Sequence, residues 1–250
     1  MKTLDFSSIL QKAISEPGTA NRGYTMFHRY SIGNQCAAIW QLPEHKVGPI
    51  ATYKAWQEMG RQVKKGAKAI ALCMPVTVKI KGDDGEDDST FSRFVWRNNW
   101  FCLADTDGAE YTPETVTPAW DAQKAMLSLS IDQVPFESVN GNSQGYACGR
   151  TIAINPLATL PHKTRIHEIA HVVLGHTGAG ETMTDGADIP RSEMEVEAEC
   201  VAYLLCDIFG LPGQAESRHY IQGWLDGADI SDKMAQRIYK AANIIVKAGE

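Results

Sequence analysis

The sequence has no apolar run approaching the roughly 20 residues that a bilayer-spanning helix needs, so a membrane span is not expected. The opening stretch MKTLDFSSILQKAISEP carries an early Asp5 and no long apolar core. It reads as a short amphipathic helix and not as a secretory leader. The cysteines, at positions 36, 73, 102, 148, 200 and 206, include no C-x-x-C pair. Reduced, mostly buried thiols of a cytoplasmic protein are the expectation. No internal repeat is visible, which excludes a solenoid or propeller.

The chain has 250 residues, enough for one large domain or two small ones. At 44% apolar and 22% charged residues it has the composition of a soluble globular protein. The net charge of -6 hides a gradient, because residues 1–82 carry +8, residues 83–120 carry -7 and residues 121–250 carry -7. A basic front on an acidic chain points to a polyanion partner for that part, unless its cations only solvate exposed faces.

The acidic stretch GDDGEDDST (82–90) lies between the β-like runs PVTVKI and RFVWRNNWFCLA, the pattern of a hairpin. YTPETVTPAW (111–120) is the best linker candidate, which divides the chain into residues 1–120 and 121–250. Beyond it, AQKAMLSLS reads as a helix and GNSQGYACGRTIAINP as short strands around a glycine turn. Long helices are expected over TLPHKTRIHEIAHVVLGH, ending near Gly175, and over EMEVEAECVAYLLCDIFG, stopped by Gly210 and Pro212. Two further helical stretches follow. Strands and helices without a regular βαβ repeat indicate α+β.

RIHEIAHVVLGH (165–176) holds the clearest chemistry. His167 and His171 stand at i and i+4, one turn apart on one helix face, a spacing that lets two imidazoles share one Zn²⁺. Glu168 follows the first histidine and can take a proton from a water at the remaining coordination position. Burying two imidazoles and a carboxylate in so apolar a helix would be costly without a partner. The second helix offers a third ligand. Glu195 and Glu199 share a face, and Glu197 points elsewhere. Glu195 is the expected metal ligand, with Glu199 hydrogen-bonding the far nitrogen of a ligating histidine; the exchange of these two roles is the alternative. His162 and His176, flanking the motif, read as surface or supporting residues. An N/O donor set accepts Zn²⁺, and Mn²⁺ in vitro.

In the basic front, Tyr53, Lys54 and Trp56 precede Arg61, Lys64, Lys65 and Lys68. Stacking aromatics beside a cationic groove are how single-strand binders hold nucleic acid. The glycine in VKKGAKAI suggests a tight turn that lets backbone approach phosphate. Helical periodicity in TYKAWQEMGRQV leaves a competing role for Trp56, packing with Met59 and Val63.

HEIAHVVLGH followed by E-x-x-A-E resembles the gluzincin-like metallopeptidase domains of ArdC-type antirestriction proteins. GPIATYKAWQEMGRQVKKGAKAIALCMP (48–75) is similar to the signature of that family's N-terminal single-stranded-DNA-binding domain. The resemblance covers most of residues 45–75 and 145–212. It implies a small N-terminal α/β domain that binds single-stranded DNA, followed by a zincin-like domain holding Zn²⁺. It also implies a mobile-element protein that acts against a host restriction system. Two other readings stay open: an active metalloendopeptidase, tethered by DNA, that cleaves a protein partner, and a metal-stabilised DNA-binding scaffold without catalysis.

Overall fold

Asp5 opens the first helix by accepting the Ser8 N–H at 2.7 Å. In this computed structural model, which describes residues 4–80, 89–137, 143–178, 189–225 and 229–250, that helix is α1 (Phe6–Ser15). It buries Ile9, Leu10 and Ala13 on one face, the amphipathic pattern expected of it. Helix α2 (Thr19–Phe27) has no cap from its own N-cap residue, Gly18. Asp207 serves instead, accepting Gly18 N–H at 2.7 Å and Ala20 N–H at 2.9 Å. Helix α3 (Ile32–Gln41) follows.

The chain forms two compact units, residues 37–115 and residues 1–36 with 116–250. The division read from the sequence, 1–120 and 121–250, keeps the first helices in the front part. Contacts group them with the C-terminal part, because their polar and apolar partners lie there. Phe6 N–H donates to Asp232 at 2.6 Å, the Tyr203 hydroxyl donates to the Ala13 carbonyl at 3.1 Å, and Asp207 caps α2.

In unit 37–115, β1 (Ile50–Thr52), α4 (Tyr53–Glu58), β2 (Arg61–Val63), β3 (Ile70–Ile80), β4 (Ser89–Cys102) and β5 (Thr106–Gly108) make two small antiparallel sheets. Strands β1, β4 and β3 form one, with β3 and β4 paired from Ile70 opposite Trp100 to Ile80 opposite Ser89 and a register shift between Ile70 and Ala71. This is the hairpin expected around the acidic stretch, of which residues 82–88 lie outside the described ones. Strands β2 and β5 form the second.

The other unit continues with α5 (Ala122–Ser128), β6 (Asp132–Gln133), β7 (Gly145–Cys148), β8 (Thr151–Ile154), α6 (Pro161–Leu174), α7 (Arg191–Ile208), α8 (Gln214–Leu225) and α9 (Asp232–Gly249). Among the described residues its sheet has the order β6-β8-β7, with β7 at an edge. Helix α7 runs through the centre, buried at every residue from Val196 to Ile208, and packs against α6, α8 and α9. The architecture is α+β. All six cysteines are free and only Cys148 is exposed. Among the described residues no helix is long and apolar enough to cross a membrane.

Candidate metal centre

Helices α6 and α7 carry the donors. Pro161 starts α6 at a position where a missing N–H costs nothing. Buried Ile166, Ile169, Ala170 and Val172 seat it in the core. One turn separates His167 from His171, and their Nε2 atoms stand 3.1 Å apart. From α7, Glu195 Oε2 lies 3.4 Å from the first of these nitrogens and 3.7 Å from the second. A point equidistant from all three atoms lies about 2.0 Å from each, the length of a Zn–N or Zn–O bond. The three residues thus fit a divalent cation, with room on the cavity side for further ligands.

Electrostatics support the same fit. Two imidazole nitrogens and a carboxylate oxygen crowded together need positive charge among them. Without metal a proton supplies it. Burial disfavours the His167 imidazolium, but the hydrogen-bonded carboxylates of Glu195 and Glu199 outweigh this and raise its pKa to about 9. His171 moves the other way, lowered chiefly by burial and also by the His167 charge. The hydrogen bond from His167, with the His171 ring close by, holds Glu195 far below the ordinary carboxylate range. Glu199 is deeply buried, which opposes its ionisation, yet His167 and Lys163 bring its pKa down to about 2. Its Oε2 sits 3.0 Å from His167 Nδ1 and its Oε1 2.5 Å from Lys163 Nζ. Glu199 therefore faces the far nitrogen of His167, and Glu195 faces the near one.

Glu168 points into the same cavity of about 1050 Å³, which β7, α6 and α7 line. Burial pushes its pKa up to about 7, so it exchanges protons near neutrality. Strand β7 approaches closely here. A Cβ added at Gly145 would lie 2.9 Å from the Ala153 carbonyl oxygen and 3.1 Å from Glu168 Oε1.

The expected DNA-binding residues all belong to unit 37–115, and they divide. Trp56 is a correction: it is fully buried, edge-on to Tyr111, with its indole N–H donating to the Phe101 carbonyl at 2.9 Å. It fills the core of this unit and has no free face for a base. Arg61 is part-buried and already engaged. Its guanidinium donates to Thr106 Oγ1 at 2.8 Å, to the Thr106 carbonyl at 3.1 Å and to the Ala109 carbonyl, so it clamps β2 to β5. Lys64 is shared between the Ala104 carbonyl and Asp107. Tyr53 and Lys54 are exposed, Lys54 beside Glu58 at 3.7 Å. Lys65 and Lys68 are exposed and line, with Lys46 and Lys64, a cavity of about 620 Å³. Between them the chain reverses in a turn closed by Ala67 N–H to the Lys64 carbonyl at 3.1 Å, with Gly66 at φ 86°.

Residues 10–101 match the family described as the N-terminal domain of anti-restriction factor ArdC. Two solved structures of the antirestriction ArdC protein from the R388 plasmid share the fold. The metal-free form is 20% identical with a TM-score of 0.60, covering 97% of this chain and 94% of that one. The Mn(II)-bound form is 19% identical with a TM-score of 0.59, covering 97% of each. Over residues 10–101 the chain is similar to the ArdC N-terminal domain, and as a whole it has the fold of the R388 protein. No curated protein is significantly similar to it in sequence.

Beside the candidate metal centre, Glu197 and Arg237 escaped the sequence reading, whereas His176 was read as a surface or supporting residue and takes a supporting place. His176 is buried, with its Nδ1 2.9 Å from His171 Nδ1 and its Nε2 3.0 Å from Glu197 Oε2. Glu197 is fully buried and paired with Arg237 of α9. The helical pattern puts Glu197 on another face from Glu195, which holds, but that face is core and not solvent. His176 lies beyond the helix and was expected at the surface or in a supporting place. Gly175 at φ 82° ends α6, and His176 N–H donates to the His171 carbonyl at 2.9 Å. This reversal folds His176 back under His171. The glycine after the helix was the one signal that could have found it. His162, by contrast, is near the surface and bonds the Pro212 carbonyl at 2.8 Å.

Proposed function

We propose that this chain is an antirestriction-type protein of a mobile element that binds single-stranded DNA and holds a divalent cation at His167, His171 and Glu195. The observation that carries this reading is the occurrence, in one chain, of the ArdC N-terminal match over residues 10–101 and the convergent donor set. The R388 ArdC protein is an antirestriction protein and has a Mn(II)-bound form. Nitrogen and oxygen donors accept Mn²⁺ and Zn²⁺, and the affinity order favours Zn²⁺. The exposed Lys65 and Lys68 supply charge for phosphates, and Tyr53 an accessible ring. No base-reading motif is present, so binding depends weakly on sequence and strongly on salt. Such a protein shelters incoming DNA from host restriction in the cytoplasm. Fluorescence anisotropy with labelled single- and double-stranded oligonucleotides across a salt series tests it. Preference for the single strand, weakening with salt, is expected; equal binding to both at moderate salt would sink the DNA reading.

A DNA-tethered metalloendopeptidase is the second reading, favoured by one observation: Glu168, the donor set and the edge strand β7 line one cavity. An extended peptide can add as a strand to a free sheet edge. Zn²⁺ bound there would act as a Lewis acid on a carbonyl oxygen. Glu168 would take the proton of the attacking water and return it to the leaving amine. Glu168→Gln keeps the shape of the side chain and removes the base. If the variant protects DNA in a restriction challenge as well as the wild type, the metal serves as a non-catalytic clamp and the peptidase reading fails.

A further inference from the structure

We propose that Arg237, Glu197 and His176 form a buried positioning chain that fixes which ring nitrogen of His171 faces the metal. The proposal rests on the reading of His167, His171 and Glu195 as a metal centre. Arg237 donates Nε–H to Glu197 Oε1 at 2.7 Å and reaches the same oxygen with Nη2. The other carboxylate oxygen meets His176 Nε2 at 3.0 Å, and His176 Nδ1 meets His171 Nδ1 at 2.9 Å. Side-chain exposure is 0% for Glu197, 2% for His176 and 13% for Arg237, so water cannot replace these contacts.

The direction of the hydrogen bonds follows from what each group can do. A guanidinium only donates and a carboxylate only accepts. Glu197 therefore accepts a hydrogen bond from the N–H at His176 Nε2. A neutral imidazole has one N–H, so His176 Nδ1 is bare and must accept. His171 Nδ1 then carries the hydrogen, and His171 Nε2 presents its lone pair to the point shared with His167 and Glu195. Reversal would put an N–H where a ligand lone pair is needed. Arg237, which cannot accept, anchors the order at the far end. Burying three polar groups gives no advantage in stability over an apolar trio of similar volume. Setting the tautomer of a ligand is a role an apolar trio could not perform.

The test uses the full chain. His176→Phe keeps a ring but leaves His171 Nδ1–H without an acceptor. His176→Asn keeps an acceptor oxygen near the place of His176 Nδ1. Zn²⁺ affinity is read by competition with a chromogenic chelator, alongside the melting temperature of the metal-free protein and the imidazole ¹⁵N spectrum. His176→Phe should lose about tenfold to a hundredfold in Zn²⁺ affinity, as loss of a ligand's outer partner does elsewhere. His176→Asn should keep most of it, and metal-free wild type should show His171 protonated on Nδ1. A Phe variant that binds Zn²⁺ like the wild type overturns the proposal, as does His171 protonated on Nε2. Equal loss in both variants, in step with lower melting temperature, makes His176 a packing residue and also overturns it. Wild-type protein that binds no Zn²⁺ would sink the metal centre itself, a result distinct from a failure of the chain alone.

Discussion

Nδ1 of His167 lies 3.0 Å from Oε2 of Glu199, and this contact joins α6 to α7 where the metal donors converge. The two histidines of one helix are thus oriented from behind by different residues, His167 by Glu199 and His171 by His176.

Glu199→Ala removes the acceptor behind His167 and leaves the Lys163 ammonium, 2.5 Å from that carboxylate, without its partner. Zn²⁺ affinity should fall about tenfold to a hundredfold. Glu199→Gln keeps a carbonyl acceptor and should lose less. Isothermal titration of both variants checks the order; equal affinities for Ala and wild type would remove Glu199 from the centre.

The metal-free protein should melt at a lower temperature at pH 9 than at pH 6. His167 has its pKa raised from 6.5 to about 9, so the stability it contributes is complete below 6.5 and lost as pH rises through about 9. Glu199 has its pKa lowered from 4.5 to about 2, so its share is complete above 4.5 and lost only as pH falls toward 2. Glu168, raised to about 7 by burial, adds a cost as it ionises and acts in the same direction as His167. Zn²⁺ replaces the His167 proton, so its apparent affinity should rise up to about tenfold per pH unit below 9. Melting curves across pH 6.5–9 should fall with chelator and stay nearly level with Zn²⁺, because the gain in affinity offsets the loss of the His167 contribution; an equal fall in both would contradict this account.

Gly145→Ala tests the close approach of β7 to α6. Its methyl would meet the Ala153 carbonyl oxygen at 2.9 Å and Thr164 Cγ2 at 2.8 Å, and the first of these is backbone that cannot rotate away. A loss of about 1–3 kcal/mol is expected from overpacking. Chemical denaturation measures it, and an unchanged midpoint would mean that the strand has room to shift.

Lys65→Ala with Lys68→Ala, and Trp56→Ala, should separate binding from folding. The lysines are exposed, so the double variant should melt like the wild type, while its log affinity for single-stranded DNA should depend less steeply on log salt by about 1.4 if both contact phosphate. Trp56 is fully buried, and its loss should cost about 3–5 kcal/mol. Anisotropy and denaturation together read both effects. An unchanged salt slope in the lysine variant would move the DNA contact elsewhere.

What the sequence determined by itself is local. Asp5 before an amphipathic stretch starts α1, Gly175 ends α6, and the i, i+4 spacing puts His167 beside His171 and Glu195 beside Glu199. These are properties of one turn of helix, and the period of 3.6 makes them readable from spacing. Tertiary structure decided everything that joins distant parts of the chain. Trp56 and Arg61 have the composition of a nucleic-acid groove, yet the carbonyls of Phe101, Thr106 and Ala109, some 45 residues on, claim their donors. Asp207 caps a helix 189 residues earlier, which carries the first 36 residues into the C-terminal unit. Glu197, one position in a run of acids, is buried because Arg237 and His176 arrive from either side. A buried polar group must find a partner, and which partner it finds depends on how the chain folds back, a fact no local window contains.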